Sequence, residues 1–213
     1  MMEKYKETID TYDKAAKDYQ DKFMDMDLYN DTYDKFCELI DKESPDILEI
    51  GSGPGNISRY LLYKRPDFKI LGIDLAPNMI DLARLNNPSA SFEVMDCRDI
   101  GKLDSRFDAI MCGFCMPYLS KDDCAIMTED FARLLNHSGV VYISTMEDEY
   151  NKSGFEVTSF SGENRVYIYY HQADYLTDCL RNNGFDIIDL QRKDYPEPDG
   201  TYLTDLILIA KKI

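Results

Sequence analysis

Apolar residues Tyr5, Ile9, Tyr12, Ala16, Tyr19 and Phe23 recur at steps of three and four, the spacing of one helix face. A second stretch of this kind spans 28–40, and Ser44-Pro45 punctuates it. The rhythm then changes to short apolar runs at 46–50, 69–73, 91–95, 107–111 and 140–144, each the length of one buried strand. Helical patterns separate them at about 56–64, 77–85 and 121–135, with Pro77 suited to a first helical turn because it has no N–H to leave unpaired. Strand–helix alternation of this kind predicts right-handed crossovers and a mostly parallel sheet.

Past Thr145 the alternation breaks. The stretch 147–163 is polar, carries Gly154 and Gly162, and is expected to be loop. A strand follows at 165–170, then an amphipathic helix at 173–182 closed by the stop signal Asn183-Gly184. Runs at 185–190 and 202–210 predict two last strands joined through Pro196-Glu197-Pro198-Asp199-Gly200. If they pair as a hairpin, the sheet has seven strands, one of them antiparallel.

Composition narrows the function classes. The 213 residues carry a formal charge of −16, and such an acidic surface repels phosphate backbones and anionic headgroups. Neither a nucleic acid nor a membrane is an expected partner. No apolar run approaches the ~20 residues needed to cross a bilayer, and the charged start Met1-Met2-Glu3-Lys4 lacks the apolar core of a signal peptide. The six cysteines fall in apolar or helical patterns, so a cytoplasmic chain with reduced thiols is expected.

The chemistry concentrates at Ile47-Leu48-Glu49-Ile50-Gly51-Ser52-Gly53-Pro54-Gly55-Asn56, where a strand ends in a glycine-dense turn and a helix begins. Glycines there permit positive φ and close approach of a ligand, which meets free N–H groups at the helix start. A dinucleotide fingerprint needs glycine at the sixth position of the turn, and here that residue is Asn56. The pattern is instead E-x-G-x-G-x-G, and it resembles the first motif of the class I S-adenosylmethionine (SAM) methyltransferases. Three more elements follow in that family's order: Ile70-Leu71-Gly72-Ile73-Asp74-Leu75, Phe92-Glu93-Val94-Met95-Asp96-Cys97, and the strand from Phe107 to Cys112 with Gly113-Phe114-Cys115-Met116-Pro117-Tyr118 behind it. The resemblance covers roughly 47–145 and is to the small-molecule branch of the family.

It implies an α/β, three-layer, Rossmann-like doubly wound sheet of seven strands, mostly parallel with one antiparallel, plus N-terminal helices. It divides a single domain into a helical cap (1–43), a cofactor-binding core (44–145) and a substrate-recognition segment with the final strands (146–213). The implied cofactor is SAM and the implied partner a small-molecule substrate, on a monomer or homodimer. Gly51 and Gly53 would pass under the methionine moiety, Asp74 take the ribose hydroxyls, Leu75 cover one adenine face, and Asp96 and Cys97 meet the adenine edge. The backbone around Cys112 would accept from the cofactor's amino group. Tyr12 and Tyr19 match positions that fold over SAM in related enzymes, although a tyrosine stripe at helical spacing equally describes core packing.

Other candidates have plainer readings. Cys112-Gly113-Phe114-Cys115 has redox spacing, but no helix starts at the second cysteine, as a thioredoxin-like pair would need. No metal site is expected. His171 is a candidate base or a packed histidine, His137 lies on the side away from ligands, and Glu147 and Asp148 could face a cationic substrate or solvent. No catalytic residue is identified. Two alternatives stay open: a SAM-binding regulatory protein without transferase activity, and an NAD-dependent oxidoreductase.

Overall fold

Alternate residues of one long strand, β5 (Leu135–Met146), point into two separate cores, which is the period-two geometry that organises the molecule. Val141 and Ile143 join one core, Val140 and Tyr142 the other. The computed structural model describes residues 2–162, 164–197 and 200–213. Helices α1 (Met2–Lys14), α2 (Ala16–Phe23) and α3 (Asn30–Glu38) precede β1 (Asp46–Ile50), α4 (Asn56–Lys64), β2 (Lys69–Asp74), α5 (Pro77–Asn86), β3 (Ser91–Val94), β4 (Phe107–Gly113) and α6 (Lys121–Leu134). After β5 come β6 (Gly154–Val157), β7 (Arg165–Ile168), α7 (Ala173–Asn182), β8 (Phe185–Pro196) and β9 (Tyr202–Lys212).

The main sheet has seven strands in the order β3-β2-β1-β4-β5-β9-β8. Strands β1 to β5 pair in parallel, and β9 lies antiparallel between β5 and β8. This is the expected doubly wound sheet with one antiparallel strand. On one face Phe131 and Leu134 of α6 and Leu176 and Leu180 of α7 pack on Leu48, Ile110, Val141 and Leu208. On the other, Tyr33 and Phe36 of α3 and Leu61 of α4 pack on Ile47, Met111, Tyr142 and Ile209. Each such side chain fully removed from water contributes about 1.5–3 kcal/mol.

Two expectations are corrected. The N-terminal helical stretch is not continuous: Ala15, with φ −100° and ψ 21°, separates α1 from α2. The predicted loop 147–163 contains a strand, because β6 pairs antiparallel with β7 as a second, two-stranded sheet. Four residues are too few for alternation to show, and β6 exists only because β7 supplies its hydrogen bonds. The last two strands also run further than their apolar cores, β8 to Pro196 and β9 to Lys212. Of the predicted connection between them, Pro198 and Asp199 lie outside the described residues.

The core holds one conspicuous acid. Glu49 of β1 is 1% exposed, and Ser58 of α4 donates to its Oε2. Its Oε1 has no partner among the described residues. Burial, only partly opposed by Ser58, pushes the carboxyl up to about 8, so it is mostly protonated at neutral pH.

Two outcomes follow from this packing. Gly55 precedes α4 at φ 78°, and a Cβ there would lie 2.3 Å from Asn87 Nδ2, which donates to the Gly55 carbonyl. Gly55→Ala should therefore cost about 1–3 kcal/mol through backbone strain and overpacking, read from urea midpoints. For Glu49 the folded value lies above the unfolded one, so its contribution is full below about pH 4.5 and is lost as pH rises through about 8. Glu49→Gln should remove that loss, so the variant's stability relative to the native chain should rise from pH 5 to pH 9. A difference independent of pH would show that Glu49 does not titrate in this window.

Candidate functional site

The glycine turn between β1 and α4 is held from the neighbouring strand. The Ile73 carbonyl accepts from the Gly51 and Ser52 amides, each at 2.9 Å, and the Gly55 amide closes the turn on the Ser52 carbonyl. Gly51 and Gly53 have φ of 70° and 51°, where a side chain would be strained. A Cβ at Gly51 would press on Cys115 at 3.1 Å, whereas at Gly53 nothing lies nearer than the Tyr19 ring at 3.7 Å. The turn thus offers a bare backbone edge to the space under Tyr19.

Asp74, at the end of β2, ties this turn to the next one. Its Oδ2 accepts from Gly53 N and its Oδ1 from Ala76 N, both at 2.9 Å. Each oxygen keeps a lone pair, so the carboxylate can still accept two hydroxyls. Burial raises its pKa, opposed by the amides of Ala76, Gly53 and Leu75.

These groups border a cavity of about 110 Å³. Seven of the residues singled out in the sequence line it: Tyr12, Tyr19, Gly51, Gly53, Asp74, Leu75 and Cys97. Asp96 and Cys112 do not. Asp96 is the N-cap of the short 3-10 turn Cys97–Lys102, and it is occupied by the backbone N–H and guanidinium of Arg98. Cys112 is buried in β4 opposite Ile143, and the next residues, Gly113, Phe114 and Cys115, reach the cavity instead. Apolar walls at Leu75, Met79 and Met95, an acceptor at Asp74 and a bare glycine edge fit a nucleoside with an extended amino-acid tail. Cys112 and Cys115 are free thiols, and a 3-10 turn, Met116–Tyr118, follows Cys115 where a redox pair would need a helix.

An aromatic cluster covers this cavity. Tyr12 and Tyr118 share a hydroxyl–hydroxyl hydrogen bond, and the Tyr12, Tyr19 and Phe160 rings lie 5.3–5.8 Å apart. Helix α1 is fixed to β7: Thr11 Oγ1 donates to the Arg165 carbonyl at 3.0 Å, Tyr167 N donates to Thr8 Oγ1 at 2.9 Å, and Glu7 pairs with Arg165. The N-terminal helices and the second sheet therefore form one cover.

Beyond Tyr12, Tyr19, Tyr118 and Phe114 lies a larger cavity, of about 640 Å³. Tyr29, Tyr33 and Tyr195 line it, and Asp205 of β9 borders it at 2% exposure. Burial pushes the Asp205 carboxyl up to about 7, although Tyr29 donates to it at 2.6 Å. Sequence reasoning missed Asp205, Tyr29 and Tyr118. The one available signal was an acid inside the apolar run Leu203-Thr204-Asp205-Leu206-Ile207.

The histidines and the acids after β5 resolve differently. His171 is fully buried outside both cavities, with Nε2 3.1 Å from the Met116 and Leu119 carbonyls. Burial lowers its pKa, so it is a neutral N–H donor that packs the core rather than a base. His137 is exposed near the start of β5, at the opposite end of the strand from the cavities. Glu147 is taken by Arg192 and the Ala173 amide, and Asp148 by Lys152.

Comparison with known proteins agrees with this arrangement. Residues 47–139 match the model of a family described as a methyltransferase domain. A malonyl-[acyl-carrier protein] O-methyltransferase of Acetivibrio thermocellus is 28% identical over 138 residues, which are 64% of this chain and 44% of that protein. A release factor glutamine methyltransferase of Fusobacterium nucleatum is 28% identical over 80% of this chain and 48% of its own length. The chain thus spans under half the length of these curated relatives. Among solved structures, a magnesium protoporphyrin IX methyltransferase from Synechocystis superposes with a TM-score of 0.73 at 16% identity, covering 99% of this chain and 100% of that one. Residues 47–139, with their glycine turn, the Asp74 tie and this sheet order, are thus similar to a methyltransferase domain of the class I S-adenosylmethionine-dependent type.

Proposed function

We propose that this chain binds SAM in the smaller cavity and transfers its methyl group to a small molecule held in the larger one. The observation that carries the reading is the adjacency of the two cavities, which share Gly51, Gly113, Phe114 and the Tyr12–Tyr19–Tyr118 cover. Asp74 would take the ribose hydroxyls, Leu75 an adenine face, and Gly51 and Gly53 the methionine moiety. Asp96 would keep Cys97 and its backbone in place at the adenine edge through the turn it caps. SAM supplies an activated methyl group and its own leaving group. What remains for the chain is to align the acceptor and exclude water, and such alignment can supply roughly 7–11 kcal/mol of a barrier.

The acidic lining and the −16 net charge favour a small molecule over a nucleic acid. None of the described helices is long and apolar enough to cross a membrane. A methyl-transfer screen with radiolabelled SAM over small-molecule pools tests the activity. A chain that binds SAM but labels no acceptor would instead be a regulatory protein.

Two measurements test the cofactor assignment. In calorimetry, SAM and its demethylated product should bind and NADH should not. Asp74→Ala should weaken that binding by about 1.5–3 kcal/mol, the range for hydrogen bonds to a charged group. Unchanged affinity in the folded variant would leave Asp74 as a helix-start cap only. In hydrogen exchange, the SAM product should slow amides in 5–23 as well as in Gly51 to Gly55. Protection confined to the glycine turn would make the Tyr12 and Tyr19 stripe plain core packing.

A further inference from the structure

The larger cavity has an unbalanced polar lining. Among the described residues its one cationic side chain, Arg59, is already bonded to Asp25 and to the Met24 carbonyl. Against it stand Asp25, Glu156, Glu197 and Asp205. Asp25 is satisfied by Arg59, and Glu156 accepts the Tyr170 hydroxyl at 2.6 Å. Asp205 differs from both. It is 2% exposed, its Oδ2 accepts from Tyr29, and its Oδ1 receives no hydrogen bond among the described residues.

Position gives that free oxygen a use. Asp205 pairs with Met146 at the carboxyl end of β5, and Tyr29 packs its ring 5.1 Å from Phe114. Phe114 borders both cavities, so the Asp205–Tyr29 pair looks onto the part of the larger cavity next to the proposed methyl donor. Around it, Tyr29, Tyr33, Tyr60, Phe114 and Tyr195 present rings that suit a flat apolar body. A buried acceptor with an open lone pair costs free energy unless a donor fills it. A carboxylate in its place would add like charge where no cation is free to answer it.

We propose that the larger cavity takes a planar aromatic or heteroaromatic acceptor bearing an N–H or ammonium nitrogen, that this nitrogen donates to Asp205, and that carboxylate acceptors are rejected. The term acceptor rests on the methyltransferase reading; the binding preference does not. At neutral pH the Asp205 carboxyl, held near 7 by burial, is divided between charged and neutral forms, and an incoming cation would favour the charged one. The groups facing Asp205 are Tyr29 before α3, Tyr142 of β5, Lys193 paired with it on β8, and Glu197 beyond β8, while Tyr195 of β8 faces Tyr29. The Lys193 ammonium is held by Asp31 at 2.6 Å.

Matched probes test this without turnover. Tyramine, tyrosol and 4-hydroxyphenylacetate share one ring and differ in the terminal group, and tryptamine, tryptophol and indole-3-acetate form a second series. With the SAM product bound, each amine should bind at least tenfold more tightly than its carboxylate. Asp205→Asn should erase most of that preference while changing alcohol binding less than threefold. Tyr29→Phe, which leaves the carboxylate in place, should retain it. Amine affinity in the native chain should also fall from pH 8 to pH 6, with the alcohols flat, and this arm stands even if Asp205→Asn fails to fold. Amines that bind no better than carboxylates in either series, or not at all, overturn the proposal. So does a preference that survives Asp205→Asn. Binding of the SAM product without amine preference would remove this inference and leave the methyltransferase reading intact. Amine preference without binding of that product would do the reverse.

Discussion

The carboxylate of Asp74 joins two loops that the chain would otherwise leave independent. One oxygen holds the Gly53 amide of the β1–α4 turn, and the other holds the Ala76 amide at the start of α5. Because the Ile73 carbonyl takes two more amides of the same turn, the end of β2 fixes the shape of the glycine edge. Asn86 at the end of α5 and Asn87 just after it then reach back to the Pro54 and Gly55 carbonyls. A turn with three glycines at positive φ is entropically expensive, and these bonds from β2 and α5 keep it in one conformation before any ligand arrives.

Around that edge the protein concentrates buried acids instead of neutralising them. Glu49 lies beneath the turn, Asp74 beside it and Asp205 across the larger cavity, all with raised pKa values caused first by burial. Among the described residues none is matched by a buried cation. Glu49 is protonated and silent at neutral pH, Asp74 is met by backbone amides, and Asp205 by one tyrosine hydroxyl with an oxygen to spare. The same fold element, a strand end at the carboxyl edge of the sheet, serves all three differently because their donors differ. Open α/β sheets bind ligands at this edge, and here its polarity is set by oxygen acceptors.

The covering segments are built from aromatic contacts and a few side-chain-to-backbone bonds, not from a continuous core. Tyr12, Tyr19, Tyr118 and Phe160 meet edge to face or tilted, and Thr8, Thr11, Glu7 and the Lys4 ammonium over the Tyr167 ring fasten α1 to β7. Such a cover has little buried aliphatic area to lose, and local opening is cheapest where buried apolar contacts are few. Wider access to the cavities can then come from movement of the cover, with the sheet unchanged.

The sheet and the glycine turn were legible in the chain because their causes are local. Period-two apolar runs, helical spacing and the E-x-G-x-G-x-G turn each act within about ten residues, and they led to seven strands with one antiparallel and to Gly51, Gly53 and Asp74. What the chain left open depends on partners distant in sequence. The β6 strand exists only because β7 lies beside it, and whether Tyr12 and Tyr19 face a core or a cavity depends on Tyr118 and Phe160. His171, a candidate base in the sequence, became a core donor because the Met116 and Leu119 carbonyls face it. Asp205 looked like one acid in an apolar strand, and only the meeting of β9 with Tyr29, 176 residues away, gave it a site. Local periodicity fixes elements, whereas burial, and with it protonation and binding chemistry, is a property of the packed whole.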